Sequence, residues 1–155
     1  MLADAHAKGD LSVAIEHVMP ITPVYRAELH FETERQYQVI DITSDIEDAV
    51  ANAPMTFGLC HIYVVHTTAA LTINSDVDPN MGMDTMRLLH GMVPEDIWEK
   101  DPIDENRAAR ALASILGPSE TIPVQDGHLL LGTWQALMLV ELDGPRKRRL
   151  IITVQ

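Results

Sequence analysis

LCHIYVVHTTAALTIN, residues 59–74, is the stretch from which the fold can be argued. Six of its first seven residues, 59–65, are apolar, with many β-branched and aromatic side chains, and Pro54 and Gly58 precede them. This pattern predicts a strand that is buried on both faces. His66, two threonines and an asparagine follow, where the strand should reach the surface. The ends of buried strands tend to carry binding groups, so His66 is a candidate functional residue, although a lone histidine there is more often purely structural.

Length, composition and charge predict one globular domain. The 155 residues are 46% hydrophobic and 22% charged, an ordinary balance for such a domain. The net charge of -12 argues against a nucleic-acid partner. No apolar segment reaches the roughly 18–20 residues that span a bilayer, and the N-terminus does not resemble a secretory signal. Cys60 is the only cysteine, which excludes an intrachain disulfide and fits a reducing compartment. We therefore expect a cytoplasmic protein without a membrane partner.

The N-terminal half is predicted to contain two strands and a helix. Residues 1–23 have no sustained period and are expected to form a loosely ordered extension. Apolar side chains recur at every second position over residues 25–31, and residues 36–43 are expected to pair with them across a polar turn. A helix is expected to begin at Ser44, because Ser44 and Glu47 have the spacing of a capping box.

The second half is predicted to contain two helices and two hairpins. One helix is expected around 81–92, and another from Asp104 and Glu105 to residue 116. Residues 121–131 and 133–154 each read as an antiparallel hairpin, because each contains Asp-Gly between apolar runs. Glu141 interrupts the second apolar run and must face solvent, pair with a cation or line a site. The basic run 146–149 is typical of an exposed strand or a subunit contact.

Several short phrases together resemble a known family. They are His-Thr-Thr-Ala-Ala at 66–70, Ile-Asn at 73–74, Asp-Pro at 78–79, Asp84, Asn106, Gly-Pro-Ser at 117–119, Ile-Pro-Val at 122–124, Gly-Thr-Trp-Gln at 132–135 and Glu141. This set resembles the YjbQ-like family, also described as the secondary thiamine-phosphate synthase family, over the chain from about Tyr25 to the C-terminus. The phrases His-Thr-Thr-Ala-Ala and Gly-Thr-Trp-Gln, in that order, are the most specific.

The resemblance implies an α+β fold of packed β-sheets with about three helices, formed by residues 1–155 as a single domain. It also implies a homotrimer, a small phosphorylated metabolite as partner, and a weak transferase activity that joins a pyrimidine diphosphate to a thiazole phosphate. The residues that it places in a catalytic role are His66, Asp84 and Glu141. Those that it places in substrate binding are Thr67, Thr68, Asn74, Asn106, Arg110, Trp134 and Gln135.

The family reaction displaces pyrophosphate, so its site needs cations for the leaving group. On this hypothesis His66 donates a hydrogen bond or shuttles a proton, and Arg110 binds a phosphate through its fork of donors. Asp84 and Glu141 would then hold or orient a Mg²⁺ ion. The chain departs from the family pattern at two positions, with Arg110 where a histidine is usual and Ser75 where a glutamate is usual.

Two other functions are compatible with these residues. The first is a non-catalytic protein that binds an anion or small metabolite around His66, Arg110 and Gln135, since a fold alone does not determine function. The second is a metal hydrolase that uses His66 with His61 or His128. His61 and His66 are five residues apart, however, and would point to opposite faces of one strand.

Overall fold

The computed structural model of the chain describes residues 24–75, 80–93 and 106–155. The extension predicted for residues 1–23 and the helix start predicted at Asp104 and Glu105 lie outside these ranges. Within them the chain forms eight strands and three helices. Their bounds are β1 Tyr25–Glu32, β2 Gln38–Asp41, α1 Thr43–Ala51, β3 Phe57–Val64, β4 Ala69–Ser75, α2 Met81–Met92, α3 Arg107–Leu116, β5 Ser119–Gln125, β6 His128–Leu129, β7 Gln135–Glu141 and β8 Lys147–Val154.

The strands form two antiparallel sheets, with the orders β1-β8-β3-β5-β6 and β2-β7-β4. The main core lies between the sheets, where side chains such as Ile62, Leu150 and Leu139 pack with helix α1. A second core covers the other side of the three-stranded sheet, where Val140 packs with residues of α2 and α3. The fold is thus a layered α+β structure with three helices in the described residues, as the sequence predicts.

The strand that is buried on both sides is β7, rather than β3. Along β3 exposure alternates, and Leu59 and Tyr63 remain 46% and 40% exposed on the outer face of the larger sheet. The prediction that residues 59–65 are buried on both faces is therefore wrong for the single chain that the structure describes. In β7, Leu137 and Leu139 join the main core while Val140 joins the second one. The middle strand of the smaller sheet has layers on both sides, which explains its uninterrupted apolar run.

Of the two predicted hairpins, the β5–β6 hairpin is present, and both turn residues, Asp126 and Gly127, have the positive φ that such a turn needs. The segment 133–154 differs, because β7 pairs with β2 and β4 whereas β8 pairs with β1 and β3. The connection at Asp143-Gly144-Pro145, with a cis Gly144–Pro145 bond, therefore carries the chain from one sheet to the other. β1 and β2, expected to pair, likewise lie in different sheets.

Helix α1 begins at Thr43, and its N-cap residue, Ile42, makes no side-chain capping hydrogen bond. The predicted capping box is wrong, because Glu47 Oε1 accepts a hydrogen bond from the backbone N–H of Leu129 instead. Thr43 Oγ1 accepts the backbone N–H of Leu137 and donates to Asp41 Oδ1. Tertiary hydrogen bonds to β6 and β7 thus replace the local ones that the spacing suggested. None of the described helices is long and apolar enough to span a bilayer.

Candidate functional site

A polar cleft of about 580 Å³ opens where β3 ends, at the position that the sequence analysis selected. Three segments form it: the turn between β3 and β4, the start of α3, and the connection from β7 into β8. Five residues predicted for the site line this cleft, namely His66, Thr67, Thr68, Asn106 and Arg110. Five others that were not predicted line it as well, namely Asp143, Pro145, Arg146, Lys147 and Arg148.

His66 is held in one orientation by the backbone of β8. Its Nε2 accepts a hydrogen bond of 2.9 Å from the backbone N–H of Arg149. Burial lowers the pKa of His66, the positive charges of Arg148 and Arg149 act in the same direction, and the negative charge of Glu141 opposes them. The imidazole is therefore neutral near pH 7, and with Nε2 accepting, the hydrogen resides on Nδ1. His66 can thus donate a hydrogen bond from Nδ1, whereas its basic lone pair is already engaged.

We expect a ¹⁵N NMR titration to find His66 as the Nδ1–H tautomer with a pKa below the usual value of about 6.5. Since the folded state resists protonation, this residue's contribution to stability should be lost as the pH falls from 6.5 through the folded pKa. His30, on the exposed face of β1, serves as the reference resonance. A pKa for His66 above 6.5, or a proton on Nε2 near pH 7, would contradict this assignment.

The base of the cleft is a buried ion pair. Arg148 and Glu141 are only 3% and 0% exposed, and the guanidinium meets the carboxylate through both Nε and a terminal nitrogen. Thr33 Oγ1 and the backbone N–H groups of Leu142 and Asp143 also donate to Glu141, which thus accepts five hydrogen bonds. Burial opposes ionisation of Glu141, but the hydrogen bonds from Arg148, Asp143 and Thr33 keep its pKa below the usual value. Glu141 therefore pairs with a cation, one of the three situations that its position in an apolar run allowed.

Arg148 connects this ion pair to the β3–β4 turn. Its terminal nitrogen donates to Thr68 Oγ1 at 2.9 Å and to the Thr68 carbonyl at 3.2 Å. The same guanidinium therefore bonds Glu141 on one side and the turn beside His66 on the other. In this arrangement Glu141 fixes the orientation of the Arg148 guanidinium.

Asp143 ties the start of α3 to the β7–β8 connection. Its Oδ2 accepts hydrogen bonds from Asn106 Nδ2 at 2.8 Å and from Arg146 Nε at 2.9 Å. Lys147, at the rim, pairs with Glu32 at 3.1 Å in an exposed ion pair. Asn106 is the N-cap residue of α3, so the positive end of the helix dipole lies at the cleft.

Four predicted site residues lie elsewhere in the chain. In the β4–β7 ladder Ala69 pairs with Glu141 near the cleft, whereas Ser75 pairs with Gln135 six positions away. That separation is about 20 Å at the usual rise of a strand. Asn74, Trp134 and Gln135 lie at this far end: Asn74 Nδ2 donates to Thr85, Gln135 Oε1 accepts the Gly132 N–H, and Trp134 is exposed.

Asp84 lies on the exposed surface of α2, where it pairs with Arg87 at 2.8 Å. Asp84 does not line the cleft and is not bonded to Glu141. The two carboxylates expected to hold Mg²⁺, Asp84 and Glu141, therefore do not share a site within one chain. All the groups bonded to Glu141 are donors, which leaves its oxygens committed. Among the described residues, no three His, Cys, Asp or Glu side chains are grouped as a metal site would require. These residues therefore do not fit the expected Mg²⁺ ion.

The two other histidines considered for metal chemistry are also outside the cleft. His61 Nδ1 lies 2.9 Å from Thr121 Oγ1 in the larger sheet, and His128 lies beside Glu47. Neither shares a site with His66.

The basic run 146–149 contains three of the five cleft residues that were not predicted from the sequence. Arg146, Lys147 and Arg148 line the cleft, and only Arg149 extends onto the outer face, where it pairs with Glu28. The available signal was charge: in a chain of net charge -12, a run of four consecutive cations stands out. The sequence alone favours an exposed strand or a subunit contact for this run, because period-two alternation does not reveal which side of β8 a cation occupies.

Comparison with known proteins supports the resemblance. The family model described as "UPF0047 protein YjbQ-like" matches residues 27–155. A UPF0047 protein of Methanocaldococcus jannaschii is 36% identical over 123 residues, which cover 79% of this chain and 88% of that protein. The UPF0047 protein YugU of Bacillus subtilis is 37% identical over 123 residues, covering 77% of this chain and 91% of its own length.

Solved structures agree with the sequence comparisons. A crystal structure from Sulfolobus solfataricus, of a protein called YbjQ-like and of unknown function, has a TM-score of 0.81 and 34% identity, and the match covers 85% of this chain and 96% of that one. A protein from Clostridium acetobutylicum, of the YjbQ/UPF0047 family, has a TM-score of 0.78 and 32% identity over 83% of this chain and 99% of its own. The matched region includes both sheets and every described residue of the cleft, and the chain belongs to the UPF0047, or YjbQ-like, family.

Proposed function

We propose that the polar cleft binds a small phosphorylated metabolite through its phosphate groups. The observation that carries this proposal is the concentration of positive charge. Four of the eleven Lys and Arg side chains line this one cleft, in a chain of net charge -12. Asp143 is the only carboxylate among the lining residues of the described part of the chain. A concave site in which charges of one sign predominate concentrates the field and attracts ligands of the opposite sign.

The cations differ in the work they can do. Arg148 is fixed by Glu141 and Thr68, so it contributes a rigidly held guanidinium at the base of the cleft, with its charge balanced by Glu141. Arg110 lies on the exposed surface of α3 and Lys147 at the rim, where each can approach a ligand from solvent. Arginine forks suit phosphate oxygens because they donate two hydrogen bonds in one plane.

The neutral donors complete the site. His66 presents Nδ1–H, and Thr67 supplies a hydroxyl group at the exposed turn. Neutral donors at a phosphate site bond to its oxygens without requiring further charge compensation. The cleft thus supplies a fixed guanidinium, cations at its exposed edge and neutral donors to one anion.

Weak thiamine-phosphate synthase activity is the second candidate, and the same arginines favour it. In that reaction a bond forms between the thiazole nitrogen and the pyrimidine methylene carbon while the carbon–oxygen bond to pyrophosphate breaks. Arg110, Arg146 and Arg148 would stabilise the negative charge that develops on the departing pyrophosphate. His66 would serve as a hydrogen-bond donor to it. No step is assigned to Mg²⁺, because Asp84 and Glu141 do not fit its binding.

The binding proposal is tested by calorimetric titration with inorganic pyrophosphate at low ionic strength. Arg110→Ala should weaken binding about tenfold, which corresponds to about 1.4 kcal/mol for one charge-assisted contact in a partly open cleft. Arg26→Ala is the matched control, since it removes an arginine from the far end of the β1–β8 ladder. Absence of pyrophosphate binding by the natural protein, or equal weakening by both variants, would refute the proposal.

Turnover is measured separately by incubating the protein with both phosphorylated substrates and Mg²⁺. Product above that of a His66→Ala variant would support the synthase. Pyrophosphate binding without product would leave the cleft as a binding site and remove the catalytic candidate.

We also propose that the protein is a cytoplasmic homotrimer, as the family resemblance implies. The outer face of β3 supports association, because Phe57, Leu59 and Tyr63 expose apolar surface at alternate positions of a central strand. Light scattering after size-exclusion chromatography should give three times the mass of one chain, and Leu59→Glu should shift it toward the monomer. A monomeric natural protein at micromolar concentration would contradict the assembly.

A further inference from the structure

A second cavity of about 500 Å³ lies between helix α2 and strand β2. We call it the α2–β2 groove; its walls come from α2 on one side and from residues 35–39 on the other. It shares no lining residue with the polar cleft. The proposed phosphate site makes no use of it.

The groove exists because α2 approaches β2 closely at one end. Gly82 lacks a side chain there, and a Cβ at this position would lie 3.1 Å from Val39 Cβ. At the other end the rings of Tyr37 and His90 meet edge to face, with their centroids 4.2 Å apart. The close contact between Gly82 and Val39 closes one end of the groove, and the Tyr37–His90 pair closes the other.

The lining of the groove is mainly apolar and adaptable. Met86 is buried beneath it, whereas Met83 is 55% exposed at its edge. Unbranched methionine side chains rearrange easily and make favourable contacts with aromatic rings. A cavity of this size with an apolar lining and a few polar groups is typical of small-molecule sites. The aromatic edge and the two thioethers favour a flat ring over a flexible chain.

The charged groups around the groove favour an acidic ligand. Arg35 and Arg87 both line it. Arg87 pairs with Asp84, but the Arg35 guanidinium makes no hydrogen bond or ion pair with any residue of the described ranges. A carboxylate above the groove would give Arg35 a planar, bidentate partner.

We propose that the α2–β2 groove binds a planar aromatic molecule that carries one acidic group, with the ring against Met83 and Met86 and the acid on Arg35. This site is independent of the phosphate site. It takes a ligand of different chemistry, because the cleft is lined by polar groups and the groove mainly by apolar ones.

The probe pair is 2-naphthoate and its uncharged analogue 2-naphthamide, observed by NMR of protein labelled with ¹³C in the methionine methyl groups. The chain has eight methionines, of which two line the groove. Naphthoate should shift the Met83 and Met86 signals saturably and leave the Met55 signal in place. Naphthamide should bind at least fivefold more weakly.

Two variants test the groove residues, and two others serve as controls. Met83→Glu should abolish the shifts, because it places a negative charge beside the ring and the acid, and the exposed Met92→Glu on the same helix is its control. Arg35→Ala should remove the difference between naphthoate and naphthamide while leaving ring binding. Should Met83→Glu fail to fold, Arg35→Ala alone decides the acid contact. Arg110→Ala should change none of these shifts, so the groove and the phosphate proposal fail separately.

Several outcomes would overturn the proposal. They are equal binding of the two probes, shifts spread over all methionine signals, and a Met83 signal that depends on protein concentration and ignores naphthoate. The last would mean that a second copy of the chain covers the groove.

Discussion

Replacing Glu141 by glutamine is expected to lower the free energy of unfolding by about 3–5 kcal/mol, the cost of leaving one member of a buried ion pair without its partner. The Arg148 guanidinium, 3% exposed, would face a neutral amide. The carboxylate accepts five hydrogen bonds through its two oxygens. In the glutamine variant an NH₂ group replaces one of these oxygens, and it would face a hydrogen-bond donor although it needs an acceptor. Urea unfolding followed by circular dichroism measures the loss.

A neighbouring ion pair on the same strand provides the control. Arg149 pairs with Glu28 in similar geometry, but the two side chains are 43% and 37% exposed. Glu28→Gln should therefore have a much smaller effect, because water replaces the lost partner. Equal destabilisation by both variants would show that burial of the Glu141–Arg148 pair is not what makes it important.

The pH dependence gives the same prediction a second readout. Because the pKa of Glu141 is lowered in the folded protein, the unfolded chain binds the proton more readily. This contribution to stability is complete above the usual pKa of a glutamate and is lost as the pH falls through the folded pKa. In Glu141→Gln that part of the acid dependence should disappear. If the variant lost stability at acidic pH as steeply as the natural protein does, the Glu141 carboxylate would not be ionised in the folded state.

Gly144→Ala is expected to be the second most damaging of these substitutions, at about 3 kcal/mol, because the added methyl group overpacks a backbone contact. A Cβ at Gly144 would clash with the Arg35 carbonyl oxygen and would lie 2.8 Å from Thr33 Oγ1 and 2.9 Å from Glu141 Cγ. Two of these neighbours belong to the hydrogen-bond network that fixes Arg148. The variant should therefore lose pyrophosphate affinity as well as stability, measured by urea unfolding and calorimetry.

Gly91→Ala is the matched control for the glycine substitution. Gly91 lies in α2, and no side chain or neighbouring backbone of the described ranges lies within 4 Å of a Cβ at this position. That change should raise stability by about 0.5–1 kcal/mol, because alanine favours a helix. A Gly144→Ala protein as stable as Gly91→Ala would mean that the 33–36 and 141–146 segments can separate at little cost.

Local patterns predicted the elements of this fold better than their partners. Period-two alternation located β1, the apolar run at 59–65 located β3, and Asp126-Gly127 located the β5–β6 turn. These patterns did not reveal which strands β7 and β8 pair with, because a turn such as 143–145 can return the chain to the same sheet or carry it to another one. Only side chains on both faces of β7, packed against different layers, show which of the two occurs.

The predicted site divides for the same reason. His66, Thr67 and Thr68 are neighbours in sequence and remain together, and Asn106 and Arg110 join them because α3 packs against β4. Gln135 and Asn74 lie at the end of the β4–β7 ladder that is far from the cleft, because the register pairs Ala69 with Glu141 at the near end.

The amino-acid sequence by itself determined the family, the α+β class, the strand that ends at His66 and the excess of negative charge, because these depend on local patterns and on composition. Tertiary structure alone decided that Glu141 is neutralised by Arg148, that the 146–148 cations face the cleft, and that β7 and β8 lie in different sheets. Those facts depend on which surfaces are brought together at long range. Burial and electrostatic pairing act through space, and neither is encoded in the spacing of residues along the chain.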